Sequence, residues 1–384
     1  MDQPVGGSVP AHADVVVVGA GVIGLATAWR AAQSGLTVVA VDPAPGDGAS
    51  RVAAGMLAPV SEAQVGEPEV LRLSLESLRR YPAFVAELEA ESGRSTGFVQ
   101  CGSLFVARDA DDLAALDREL RFRERIGLSV QRLNAAECRA LEPALAPGVR
   151  GGMLADGDHQ IDPRRLVAAL LEACVRRGVD VVPAQAELLV ERSAVRGVRA
   201  AGATIVAGAV VLAAGARSPR VAGLPLDVAP PVRPVKGQIV RLRSVSAPIV
   251  RHVIRGIDGY LVARLDGELV CGATMEEQGY DTAVTAGAVY EILRNARELI
   301  PDVSEMELVE VATGLRPATP DNAPCIGATA IDLLLLATGH HRNGILLAPI
   351  TADIITALLR DESPPLDVQP FAPRRFAAMA RVMA

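Results

Sequence analysis

The stretch DVVVVGAGVIGLATAWRAAQSGLTVVAVD, residues 14–42, decides how the rest of the chain is read. A run of valines, a glycine-rich turn, an apolar helical segment stopped at Gly35 and a second apolar run ending in Asp42 spell one βαβ unit. Gly19, Gly21 and Gly24 stand in the spacing GxGxxG. The first glycine permits a tight turn, the second lets a pyrophosphate approach the backbone, and the third lets helix pack on strand. The helix opening at Val22 and Ile23 turns its first amides toward such a phosphate. Asp42 ends the second strand, where a carboxylate accepts hydrogen bonds from a free ribose diol, which leaves NAD or FAD as the dinucleotide. Glycines alone also mark ordinary turns; here the strand, the helix and the acid agree.

Immediately downstream, GASRVAAGMLAP, residues 48–59, is a run of small residues where an NAD domain would enter its next helix. Small side chains let backbone press against a flat, extended ligand, which favours FAD. The same residues also suit a helix packed closely on the sheet.

Beyond this, Leu71 to Ser92 and Ala110 to Ile126 have helical spacing, with GFVQCGSLFVA, residues 97–107, read as a hairpin-like strand pair between them. Asp162 and Pro163 open a helix that Gly178 stops, and AVVLAAGARS, residues 209–218, reads as a further buried strand. From Pro230 to Ala318 the texture becomes short alternating strands with one helix around Thr285 to Leu299, an antiparallel layer. DLLLLATG, residues 332–339, returns to the buried pattern and runs into ATGHHRNGILLAP and an apolar helix. The expected fold is α/β plus α+β: a discontinuous Rossmann-like FAD-binding domain (14–90, 150–225 and 318–384) and an antiparallel-sheet substrate domain (91–149 and 226–317), after a loose tail over 1–13.

With 384 residues, half of them hydrophobic, the chain can bury two cores. A net charge of -7 without any Lys/Arg-rich block argues against nucleic acid. Five scattered cysteines without a CxxC pair read as reduced core thiols, and neither they nor the histidines have metal-site spacing. The N-terminus lacks a signal peptide's basic start and apolar core, and the apolar run Val15 to Trp29 is too short for a bilayer. The expected setting is the cytoplasm, with no membrane segment; oligomeric state stays open, a homo-oligomer included.

Taken in order, VVVVGAGVIGLATAW, the small residues up to MLAP, PVKGQIV, GATM, GLRPATPD and GHHRNGILLAP resemble the glycine oxidases of thiamine thiazole biosynthesis, within the D-amino-acid oxidase family. The resemblance runs from about Asp14 to about Phe376. It implies non-covalent FAD contacted by Val22, Ile23, Asp42, Pro43, Ala49, Ser50, Ala54, Gly55 and Met56, with backbone near Glu187 at the adenine end. His340, His341, Arg342, Asn343, Gly344, Ile345 and Leu346 would wrap the flavin ring. Arg316 and Arg342 would bind a substrate carboxylate, with Tyr260 and Met275 lining the pocket.

Four positions depart from the family's pattern. Arg51 stands for a small residue, Glu187 for an apolar one, His341 for an aromatic one and Asp258 for a histidine.

The implied reaction is oxidative deamination of glycine, other small amines or D-amino acids to a 2-oxo acid, ammonia and hydrogen peroxide, with dioxygen as acceptor and thiazole synthase as a partner. Arginine's planar fork suits a carboxylate, and once the substrate is anchored no side chain need act as general base. The alternatives are a D-amino-acid dehydrogenase using another acceptor and a covalent-flavin, sarcosine-oxidase-like enzyme. The second is disfavoured because Cys325 lies beyond TPD, away from the arginine motif.

Overall fold

The computed structural model describes residues 9–244 and 248–376. Along the chain the elements are β1 (His12–Val18), α1 (Val22–Gln33), β2 (Val38–Val41), α2 (Ala49–Val52), β3 (Met56–Leu57) and α3 (Pro68–Ser92). Then come β4 (Ser103–Ala107), α4 (Ala110–Arg125), β5 (Gln131–Asn134), α5 (Ala135–Leu141), β6 (Gly151–Ala155) and β7 (His159–Gln160). The middle holds α6 (Pro163–Arg176), β8 (Asp180–Val182), β9 (Ala186–Glu191), β10 (Ala194–Ala200) and β11 (Ala203–Leu212). The remainder is β12 (Arg233–Arg243), β13 (Val253–Arg255), β14 (Tyr260–Ala263), β15 (Glu268–Gly272), α7 (Ala286–Leu299), β16 (Glu307–Ala318), β17 (Cys325–Ala328), β18 (Leu334–Thr338) and α8 (Gly344–Leu359).

The first sheet runs β17-β18-β11-β1-β2-β8, with β10 joined to β11 and β9 to β10. β1 pairs in parallel with β2 and β11, and β11 with β18, so the last strand of the chain completes the nucleotide sheet. The run VVVV is explained by two-sided burial: Val15 and Val17 enter the core under α1, α3, α6 and α8, while Val16 and Val18 enter the core on the opposite face. The second sheet runs β16-β12-β15-β14-β13-β4-β6-β5 and packs α7 against its own core.

Several expectations change. Of the tail expected over residues 1–13, residues 1–8 lie outside the described residues, and His12 already begins β1. In 97–107 only Ser103–Ala107 is a strand; Gly97 and Gly102 take positive φ, and Val99 makes an isolated bridge to Gln160. β6 pairs with β4 and β5, so residues 151–155, expected with the nucleotide domain, belong to the second sheet. The hairpin of β9 and β10, which leads into β11, carries no strong apolar alternation and was absent from the sequence reading.

Among the described residues, the segment long and apolar enough to cross a membrane is His341–Leu359, not the α1 region. Most of it is buried, and α8 packs against α1 and α3 as a core helix.

Candidate active site

Two of the three motif glycines are fixed by packing. At Gly19, with φ +107°, a Cβ would sit 2.4 Å from the Ala213 carbonyl oxygen, and at Gly24 a Cβ would sit 1.8 Å from that of Gly19. Gly21 instead caps α1 on a cavity wall, and the Val22 amide donates to Ser50 Oγ at 3.0 Å. Asp42 braces this loop, its two carboxylate oxygens accepting from the amides of Ala20 and Ala44, both at 2.8 Å. A carboxylate has further lone pairs, so Asp42, itself on the cavity wall, keeps acceptor capacity for a ligand.

The cavity has a volume of about 1490 Å³ and extends from this loop between the two sheets. That exceeds the roughly 300–1000 Å³ of a pocket for one small ligand. Pro43, Ala49, Ser50, Ala54, Gly55 and Met56 line it. Gly55 is small for a second reason: its φ is +80° and a Cβ would lie 2.0 Å from the Ile161 carbonyl oxygen. Buried Arg264, beyond β14, ties this wall to the second sheet by donating to the carbonyls of Ala54 and Ile161. Arg51, exposed, offers its carbonyl to Arg164 at 3.1 Å.

At the far end the wall is formed by Gln185, Ala186 and Val221. Glu187 does not line the cavity; its side chain pairs with Arg199 at 2.6 Å. Gly24 likewise serves packing and not the cavity wall.

The HHRNG segment is less cationic than its composition. His340 is buried with Nε2 at 3.0 Å from Thr351 Oγ1, and burial pushes its pKa down to about 3. His341 takes φ +46°, and burial, aided by the charges of Arg342 and Arg316, pushes its pKa down to about 4. Both rings are neutral at pH 7. Arg342, expected to face a substrate carboxylate, reaches the cavity wall, yet its Nη2 is paired with Glu67 at 2.7 Å.

Gly344 and Ile345 line the cavity at the N-terminus of α8, whereas Asn343 faces a small side space and Leu346 packs into the core. Pro349 has no amide to donate. It lies inside α8, and the carbonyl it leaves without an amide, that of Ile345, accepts the Tyr81 hydroxyl.

The opposite wall is one transverse row of the second sheet. Phe105 faces Arg255, Arg255 faces Tyr260, Tyr260 faces Gly272 and Gly272 faces Ile239. Directly opposed residues project from the same side of a sheet, and the four side chains of this row all line the cavity. Two glycines make room for the others. A Cβ on Gly272 would lie 2.4 Å from the Tyr260 ring, and one on Gly237 would lie 2.2 Å from Arg316 Nη1.

Arg316 sits within β16, which runs to Ala318. It lines the cavity and donates to the Thr274 carbonyl at 3.1 Å. Burial pushes the Tyr260 hydroxyl pKa up, against the neighbouring Arg316 charge, so the phenol stays protonated at neutral pH and can donate. A guanidinium beside a phenol can hold a carboxylate by charge-assisted hydrogen bonds. Met275, exposed, stands at the mouth, and Asp258, also on the wall, is held by Arg108 at 2.8 Å. Cys325 is not among the lining residues.

Four buried polar atoms of cavity-lining residues have no protein partner among the described residues: Thr313 Oγ1, His341 Nδ1, Arg255 Nε and Arg342 Nε. Such atoms call for a polar ligand. With the glycine loop and the cavity's length, they fit a bound dinucleotide carrying a polar heterocycle. The sequence reading missed Phe105, Arg255, Ser61 and Glu62, because no motif marks single residues on separate strands and loops.

Fold and site together define a two-sheet flavoprotein oxidoreductase, with its cofactor on a glycine-rich βαβ unit and a cationic pocket on an antiparallel sheet. The chain belongs to the DAO family, FAD dependent oxidoreductases, which matches residues 14–358. It is 34% identical to glycine oxidase of Geobacillus kaustophilus, over 94% of this chain and 96% of that protein. The crystal structure of glycine oxidase from that organism superimposes with a TM-score of 0.89 at 33% identity, covering 95% of this chain and 99% of that one. The bifunctional protein ThiO/ThiG of Synechocystis sp. is 35% identical over 94% of this chain, which spans only 54% of that protein, about half its length.

Proposed function

We propose that this chain is an FAD-dependent oxidase of glycine and other small primary or secondary amines and D-amino acids. The amino acid, water and dioxygen give the 2-oxo acid, hydrogen peroxide and ammonia, or the corresponding primary amine when the substrate nitrogen is secondary. The observation that carries this reading is the placement of Arg316 and Tyr260, each over a glycine that makes room for it, on the cavity wall of the substrate sheet. Arg316 and Tyr260 bind the carboxylate and thereby orient the α-carbon into the cavity. Bound FAD supplies the acceptor for the substrate's hydrogen and electrons. His340 and His341, neutral at pH 7, add shape and not charge. No side chain is assigned as general base, and positioning accounts for catalysis.

The proposed division of labour gives the nucleotide sheet to FAD and the second sheet to substrate. Identity to glycine oxidase supports the substrate class, and the ThiO/ThiG arrangement supports thiazole synthase as a partner.

The test is peroxide release across glycine, sarcosine and D- and L-amino acids, for the parent chain and for Arg316→Ala. The variant is expected to retain FAD and to raise the glycine KM on the order of 10- to 100-fold, as losing a charge-assisted pair worth about 1.5–3 kcal/mol implies. Turnover with an artificial acceptor but without dioxygen consumption would replace this reading with a D-amino-acid dehydrogenase.

A further inference from the structure

Next to Tyr260 in the transverse row stands a second arginine that the carboxylate clamp does not use. Arg255 is 18% exposed at its side chain and lines the cavity. The single hydrogen bond of its guanidinium among the described residues goes to Ser61 Oγ at 3.0 Å, and its Nε is buried without a partner. Glu62 Oε1 stands 3.7 Å from Nη2, an ion pair beyond hydrogen-bond distance. Guanidinium is all donor, and beyond the one bond to Ser61 its Nη1 and Nη2 keep N–H groups that an incoming anion's oxygen can take.

The station is built and not incidental. Ser61 is buried, and the loop that carries it is pinned from two sides. Arg123 Nε donates to the Val60 carbonyl at 2.8 Å and Nη2 to that of Ser61 at 2.6 Å. The Asp158 carboxylate accepts from the amides of Val60 and Ser61 at 3.0 and 2.9 Å. Phe105, whose ring centroid is 5.6 Å from the Arg255 guanidinium, closes the other flank with apolar surface.

We propose that Arg255, braced by Ser61 and tempered by Glu62, is a specificity-determining residue that binds a second carboxylate of the substrate, so that the site favours amino acids carrying an anionic group on the nitrogen or the side chain. This rests on the reading in which Arg316 anchors the α-carboxylate. Glu62 sets the threshold: its charge disfavours a second anion, and the unpartnered donors of Arg255 favour one.

The experiment uses the FAD-loaded enzyme and three probes: sarcosine, N-(carboxymethyl)glycine and D-aspartate. Peroxide release gives kcat/KM for each, and anaerobic titration of the flavin absorbance gives binding independently of turnover. For Arg255→Gln, the ratio of kcat/KM for either dicarboxylate to that for sarcosine is expected to fall on the order of 10- to 100-fold. For Glu62→Gln the same ratio is expected to rise. Ratios that stay constant in both variants overturn the proposal, as does a parent enzyme whose flavin spectrum is unmoved by N-(carboxymethyl)glycine. A preference for amino acids with a cationic side chain, lost in Glu62→Gln, would overturn it in favour of Glu62 as the recognising group. Absence of peroxide from every amine, with the titration still responding to N-(carboxymethyl)glycine, would sink the oxidase reading and leave the anion station standing.

Discussion

The Tyr81 hydroxyl on α3 donates to the carbonyl of Ile345, the acceptor that Pro349 deprives of its helical amide. A proline inside a helix is tolerated here because a side chain from another helix satisfies the orphaned oxygen. The first turn of α8, which lines the cavity, is thus held in place from 264 residues away in sequence. Tyr81→Phe keeps the ring and removes the bond. It is expected to lower unfolding free energy by about 1–3 kcal/mol, read from thermal and urea unfolding of the FAD-loaded protein. Unchanged stability would mean that water replaces the hydroxyl.

Gly237 carries no side chain because the Arg316 guanidinium lies over it. Gly237→Ala leaves the nucleotide loop untouched and must displace the arginine. The expected result is a flavin-loaded protein whose glycine KM is raised at least on the order of tenfold, by loss of a charge-assisted contact. A variant with parent kinetics would show that the guanidinium has room to move without leaving the substrate.

His340 has a pKa of about 3 in the folded chain against an ordinary value of 6.5. Above 6.5 neither the folded nor the unfolded state holds the proton, so the full stability is present. Between 6.5 and about 3 the unfolded state takes a proton that the folded state declines. Stability attributable to this residue therefore falls as pH drops through that window, by about 1.4 kcal/mol per pH unit. His340→Asn should flatten the pH dependence of unfolding free energy between pH 7 and 5 by about one proton. Parallel pH curves for the two proteins would show that His340 titrates normally.

The Arg342–Glu67 pair, with side-chain exposures of 15% and 11%, holds a cation at the cavity wall in a neutralised state. Glu67→Gln is expected to destabilise the fold by about 1–3 kcal/mol, as one partner of a mostly buried pair is lost. It should also free Arg342 for the substrate and lower the glycine KM. A KM that does not fall, measured with FAD saturating, removes Arg342 from substrate binding.

Much of the nucleotide grip was legible in the sequence because its determinants are local. Residues 14–42 carry strand, turn, helix and acid within one βαβ unit, and the glycine spacing answers contacts made inside it or with the adjoining strand. The ordered motifs carried Arg316, Tyr260 and Met275 to the same cavity, with the glycines of PVKGQIV and GATM beside the first two. Arg342 arrived as well, but its partner did not follow from the motif, since Glu67 is 275 residues away.

What the sequence by itself determined is the βαβ unit and, through the order of its motifs, the use of FAD, because periodicity and short-range spacing encode which backbone amides and side chains a segment can present. The tertiary structure alone decided the charge state of the HHRN segment, since burial neutralises both histidines and Glu67 offsets Arg342. It alone assembled the row Phe105, Arg255, Tyr260, Gly272 and Ile239, whose members lie on five strands drawn from across the chain. Strand register is a long-range property, and only the register puts Arg255 beside Tyr260 on the face that meets the cavity.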